Sequence, residues 1–156
     1  MKTGITKIAL LSALALCSTH APAAQAATES CVTTSEQDIA ALFDRWNASL
    51  QTGDATRVVA NYAPDSILLP TVSNRPRLSA EEKLDYFHHF LEKHPVGTID
   101  FRKIEIDCNS AIDAGLYTFA FDNGSRVRAR YTFTYKWDGE QWRITSHHSS
   151  KLPEGD

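Results

Sequence analysis

The stretch from Arg126 to Ser150, RVRARYTFTYKWDGEQWRITSHHSS, has a two-residue rhythm. Val127, Ala129, Tyr131, Phe133, Tyr135 and Trp137 fall on one parity, and Arg126, Arg128, Arg130, Thr132, Thr134 and Lys136 on the other. Side chains alternate across a strand, so the pattern predicts a half-buried strand with one apolar and one cationic face. Asp138-Gly139 turns this strand into QWRITSHH, and Asn123-Gly124 joins it to AGLYTFAFD before it; both pairs are strong hairpin signals. The C-terminal half is therefore an antiparallel meander, which needs something apolar laid against one face.

The N-terminal half supplies it. In SEQDIAALFDRWNASLQTGD, Ile39, Leu42, Phe43, Trp46 and Leu50 recur at helical spacing, Ser35 and Asp38 are placed to cap, and Gly53 ends the run. Asp54 caps a shorter helix, DATRVVANYAP, with Val58, Val59 and Tyr62 on its apolar side and Pro64 as its stop. SILLPT is a short strand, and VSNRPR after it a loop. A third helix, SAEEKLDYFHHFLEKHP, carries a capping box at Ser79 and Glu82 and an apolar stripe of Leu84, Phe87 and Leu91. In TIDFRKIEIDC the apolar parity changes between Phe101 and Ile104, which predicts a bulge near Lys103. The order is α-α-β-α-β-β-β-β. Such a chain is α+β: a curved antiparallel sheet wrapped around three helices from the N-terminal half, forming a cone with an open mouth.

The first residues set the compartment. Lys2 and Lys7, the apolar run from Ile8 to Leu16 and Ala24-Gln25-Ala26 make a secretory signal over residues 1–26, leaving one domain at 27–156. Leu16, not a small residue, precedes Cys17, which favours plain export over lipidation. About 130 residues remain, enough for a single core. Losing two lysines takes the formal charge from −3 to −5, which does not suit nucleic acid or an anionic membrane. Cys31 and Cys108 are then an even pair in a periplasmic or secreted protein, predicting one disulfide between the N-terminal arm and a strand. Without C-x-x-C spacing they give no expectation of a metal, and no cofactor fingerprint is present.

The front segment LFDRWNASLQTGDATRVVANYAPDSILLPT and the back segment YTFTYKWDGEQWRITSHHSSKLP resemble the nuclear transport factor 2-like superfamily. Within it, the sequence is most similar to exported bacterial proteins related to the association (hub) domain of calcium/calmodulin-dependent protein kinase II. The resemblance implies the cone. It does not imply a kinase, because the chain has no Gly-rich nucleotide loop, H-R-D or D-F-G. The superfamily's cones host isomerases, polyketide cyclases of SnoaL-like type, dehydratases and oligomerisation hubs, so fold alone leaves function open.

Candidate site residues follow from where such a cone opens. Trp46 and Tyr62 have polar tips on apolar faces. Asn74 and Arg77 lie in the loop at the expected mouth. If the apolar parity of the last hairpin lines the cone, Arg128 and Arg130 stand on the convex side and pair with a second subunit; a bulge would instead turn one of them inward to grip a carboxylate in two-point fashion. The hub domain holds small carboxylates with cavity arginines, so the resemblance implies the second arrangement. His147 and His148 face opposite ways, and at most one can line the cavity. The expectation is a homodimeric binding or assembly module whose cavity takes a small anionic molecule, such as a carboxylate, held less tightly as the histidine deprotonates between about pH 6 and 8. The alternative is a small-molecule enzyme of polyketide-cyclase, isomerase or oxidoreductase type, using a pocket His/Arg pair. A structural hub with a closed cavity is the third reading.

Overall fold

A computed structural model describes residues 30–71 and 73–153; the predicted signal over 1–26, with Cys17, lies outside them. The chain runs α1 (Glu36–Leu50), α2 (Ala55–Val59), β1 (Tyr62–Leu69), α3 (Ala80–Leu91), β2 (Val96–Asp107), β3 (Ser110–Ala120), β4 (Arg126–Trp137) and β5 (Trp142–Lys151). The element order is the one the sequence predicts. Both capping boxes form. Ser35 Oγ accepts from the Asp38 amide while Asp38 accepts from the Ser35 amide at 2.9 Å, and Ser79 and Glu82 do the same at the start of α3. The Leu78 and Ser79 amides hold the Glu82 carboxyl down at about 2, because hydrogen bonds to the charged form favour it. Gly124 and Gly139 take the positive φ that the two hairpin turns require.

The strands form one sheet in the order β1-β5-β4-β3-β2. Three neighbouring pairs are antiparallel, but β1 lies parallel to β5, so the sheet is mixed where a wholly antiparallel one was expected. The chain crosses over between these two strands through α3 and the rest of the meander, and a return from that far round can arrive parallel.

Two local expectations shift. Helix α2 ends at Val59, and Tyr62 opens β1 instead of closing a helix face. Pro64 therefore sits inside a strand. It is tolerated because β1 is the sheet's edge and its register is irregular between Tyr62 and Ile67.

The bulge in β2 falls between Ile99 and Phe101, a few residues before Lys103. Its cause is across the ladder: a Cβ at Gly115 would lie 1.9 Å from the Phe101 carbonyl oxygen, so only glycine admits that close approach. The bulge reverses which parity faces the helices. Phe101 becomes 60 % exposed, whereas Arg102 turns inward and Ile104 is buried.

The concave face packs on α1 and α3 through Phe43, Trp46, Phe87, Tyr117, Tyr131 and Phe133, an aromatic core with ring centroids mostly 5–6.5 Å apart. Asn47, one step off the apolar stripe of α1, is a clamp. Its amide donates to the Gly97 carbonyl and accepts from the Gly97 N–H, both at 2.9 Å, fixing the start of β2 on the helix. At the far end of β2, Cys108 is bonded to Cys31 across a sequence separation of 77, which ties the N-terminal arm to the sheet.

Candidate functional site

The wide end of the cone holds a cavity of about 240 Å³. Its walls are mainly aromatic, from α3 (Tyr86, Phe87, Phe90), from Phe119 of β3 and from Phe121 just after it, with Trp46 of α1 behind them. An engineered apolar cavity of about 150 Å³ holds benzene, so this one suits a single substituted ring. Its polar groups come from strand ends. His147 and Ser149, two apart on β5, share the inward face; Thr71 follows β1, which the parallel pairing places beside β5; Tyr117 comes from β3.

His147 is 4 % exposed and held on three sides. Its ring stacks on Phe133 with centroids 4.0 Å apart and meets the edge of Trp46 at 5.3 Å. Nδ1 lies 2.8 Å from the Tyr62 hydroxyl. That hydroxyl is fully buried, and burial pushes its pKa well above 10, so it keeps its proton. With the phenol donating to Nδ1 only Nε2–H is left unmet, whereas the other tautomer would leave both the phenol hydrogen and the Nε2 lone pair unmet; on that count the imidazole hydrogen is assigned to Nε2. Nε2 has no hydrogen-bond partner among the described residues. The Trp46 indole N–H lies on the Tyr62 side, outside ordinary hydrogen-bond geometry.

Burial, and to a lesser extent the neighbouring His148, lowers the His147 pKa to about 3. The ring is thus neutral throughout the physiological range. The expected loss of grip between pH 6 and 8 is therefore not driven by His147.

Beside the imidazole is a hydroxyl cluster. Tyr117 Oη donates to Ser149 Oγ at 2.5 Å, and Ser149 Oγ is in short contact with Thr71 Oγ1. The Tyr117 hydroxyl is buried and its pKa raised, so it too stays protonated. Lys93 is the cation on the cavity wall, exposed at the rim beside Asn123 and Ser125.

Of the residues singled out from sequence, the structure brings together Trp46, Tyr62 and His147; Tyr62 stands behind His147 and does not line the cavity. The others lie elsewhere. Arg128 and Arg130 extend from the exposed face of β4, where the ladder runs without a bulge from Arg126 to Thr134, and with Arg126 and Lys151 they border a shallow depression. The two-point grip on a ligand inside the cone is therefore not built. His148 is exposed, opposite Thr132 on the same outer face. Asn74 is exposed. Arg77 pairs its backbone with Leu68 and lays its guanidinium 5.7 Å from the centre of the Tyr86 ring, outside the cavity that Tyr86 lines. A His/Arg pair for catalysis is likewise not formed.

Sequence reasoning missed Thr71, Tyr117 and Ser149, and it missed a second polar group in the core. Asp113 of β3 is fully buried and is met by Arg102 Nε at 3.2 Å and the Tyr131 hydroxyl at 2.8 Å. Burial pushes the Asp113 carboxyl up, against the pull of these two partners.

A cone of three helices and a five-stranded sheet with a pocket at its wide end defines the nuclear transport factor 2-like class. Its solved members include a Pseudomonas putida protein of unknown function, 17 % identical over 76 % of this chain and 87 % of that one (TM-score 0.67), and a Streptomyces avermitilis protein assigned by its description to dehydratases of that family, 10 % identical over 76 % and 96 % (TM-score 0.68). At such identities the likeness concerns the fold. Residues 35–153 match the family described as calcium/calmodulin dependent protein kinase II association domain, and the chain belongs to it. A Xanthomonas campestris structure whose description places it with that domain is 46 % identical over 81 % of this chain and 97 % of its own, with a TM-score of 0.75. No curated protein matches.

Proposed function

We propose that this chain is an exported, self-associating module that pairs through the outer face of its sheet and holds a small molecule in the cavity at its wide end. The observation that carries the reading is the uncovered outer face. All three helices pack on the other side, and the outer face presents Phe101, Ile112, Leu116 and Ala114 among Thr132 and Thr134, with Phe101 60 % and Ile112 41 % exposed. An antiparallel sheet can leave one face to water, but apolar side chains of this size in the middle of it are the mark of an interface.

Family membership supports the same reading, since an association domain is an assembling unit. On this view Arg126, Arg128 and Arg130 border the interface and meet carboxylates of the second subunit. The signal over residues 1–26 and the Cys31–Cys108 disulfide fit an oxidising compartment. None of the described helices is long and apolar enough to cross a membrane.

Light scattering on the parent, Thr132→Glu and Ile112→Glu tests the assembly. Burying a carboxylate without a partner is costly, so both variants should fall to monomers while the parent does not. An unchanged mass in both would move the interface off this face. Native mass spectrometry of periplasmic protein tests the second half, by reporting a retained molecule.

A further inference from the structure

The polar side of the cavity has a hydrogen inventory that can be counted. With Tyr62 donating a hydrogen bond to His147 Nδ1, Nε2 carries a hydrogen that no described residue accepts. Beside it, Tyr117, Ser149 and Thr71 form a cluster of hydroxyls that hydrogen-bond one another. His147 and Ser149 are two residues apart on the same face of β5, about 7 Å along the strand. Among the described residues, the cavity lining thus offers one unmet donor, His147 Nε2–H, beside a hydroxyl cluster, with no carboxylate and no buried cation.

We propose that the cavity takes an uncharged, single-ring molecule bearing one hydrogen-bond acceptor, of ketone or amide type, which accepts from His147 Nε2–H. This deepens the reading of the cavity as a ligand chamber and rests on it. A buried donor left unmade costs free energy, so a ligand without an acceptor leaves the site's own groups unpaired. An anionic ligand meets the opposite difficulty: it would give up its hydration for neutral donors, and the charge that could compensate it, Lys93, is out at the rim. The aromatic walls, lined by Phe87, Phe90 and Phe119, suit the ring.

Three probes of similar size separate the possibilities: acetophenone, with one carbonyl acceptor; benzoate, with a charged one; and ethylbenzene, with none. Calorimetry at pH 7 on the full mature chain should rank acetophenone at least tenfold tighter than either. His147→Phe, which keeps a ring on Phe133 but removes Nε2–H, should bring acetophenone down to the level of ethylbenzene. Should that variant fail to fold, the ¹⁵N resonance of His147 Nε2 in the parent serves instead, and it should move with acetophenone and not with ethylbenzene. Tighter binding of benzoate, abolished by Lys93→Gln, would overturn the proposal in favour of an anion held at the rim. Equal binding of acetophenone and ethylbenzene would overturn the role of the donors while leaving the chamber. Failure of all three to bind would overturn the chamber itself, and the proposal with it.

Discussion

β3 carries a polar cluster towards each of its ends, and the two are built on opposite principles. Asp113, near its start, is an ion paired with Arg102 and capped by Tyr131, closed in beneath Phe43 with the disulfide strand nearby. Tyr117, further along, joins a set in which every member is neutral: His147, Tyr62, Ser149 and Thr71. The ion pair does not line the cavity, whereas His147, Ser149, Thr71 and Tyr117 do, with Tyr62 behind His147. A buried charge is stable only when its partner is fixed, so it belongs where the chain can supply that partner permanently. A site that exchanges its occupant is better served by hydrogen bonds, which cost less when briefly unmade.

The largest test of the contrast acts on the closed end. Opening the Cys31–Cys108 bond, by reduction or by a double Cys→Ser change, frees a loop spanning a sequence separation of 77 and should cost about 4 kcal/mol on the chain-entropy account. Urea unfolding measures the loss directly. Acetophenone affinity at a temperature where the variant is still folded should hardly change, because the cavity is at the other end. A matched fall in affinity would mean the two ends are one cooperative unit.

Next is the ion pair. Asp113→Ala leaves Arg102 and the Tyr131 hydroxyl without their partner and should cost about 3 kcal/mol. Adding Arg102→Leu should return much of it, since a buried pair replaced whole by apolar groups is close to neutral. If the double variant is no better than the single one, Arg102 stands in water more than its contacts suggest.

These two residues also mark what the sequence conceals. Capping boxes, hairpin glycines and the alternation of β4 were legible because each is local: Ser35 with Asp38, Ser79 with Glu82, and an Asn-Gly or Asp-Gly pair between alternating runs. The inward turn of Arg102 was not, since it depends on a bulge whose position is set by Gly115 on the neighbouring strand. Yet Asp113 shares its parity with Ala111, Tyr117 and Phe119, and a carboxylate on an apolar face demands a cation. At the cavity, Ser149 could have been read from His147 by its spacing of two. Thr71 could not, because only the parallel pairing of β1 with β5 brings it there. The arginines misled for a physical reason: their parity assigned them to the outer face, and an inward role required a bulge that β4 does not contain.

A third test uses pH, where the two ends respond with opposite sign. The folded pKa of His147, about 3, lies below its unfolded value near 6.5, so on acidification the unfolded chain takes up a proton first. Stability from this group is whole above pH 6.5 and falls as pH drops towards 3, by up to about 4 kcal/mol. His148, Tyr62 and Trp46 are the groups beside the ring. Asp113, with its carboxyl raised by burial, contributes the other way, its share being lost as pH rises. Comparing the parent with His147→Gln between pH 7 and 4.5 isolates the histidine. The variant should show the shallower decline, and parallel curves would mean that His147 is charged or exposed.

The smallest expected effect is the most specific. Tyr62→Phe removes one hydroxyl and leaves Nδ1 of His147 buried without a donor, a loss of about 1 kcal/mol. The tautomer should respond more than the stability. In the parent the phenol fixes the hydrogen on Nε2, facing the cavity; without it, Nδ1–H and Nε2–H forms become closer in energy and both should populate. The ¹⁵N spectrum of the imidazole distinguishes them, since protonated and bare ring nitrogens resonate far apart. Acetophenone should then bind a few-fold more weakly to Tyr62→Phe, the ligand having to draw the hydrogen back to Nε2, while ethylbenzene should be unaffected. If instead the parent already carries its hydrogen on Nδ1, the donor set at the wide end loses its central member, and the contrast between a charged closed end and a donating open one no longer holds.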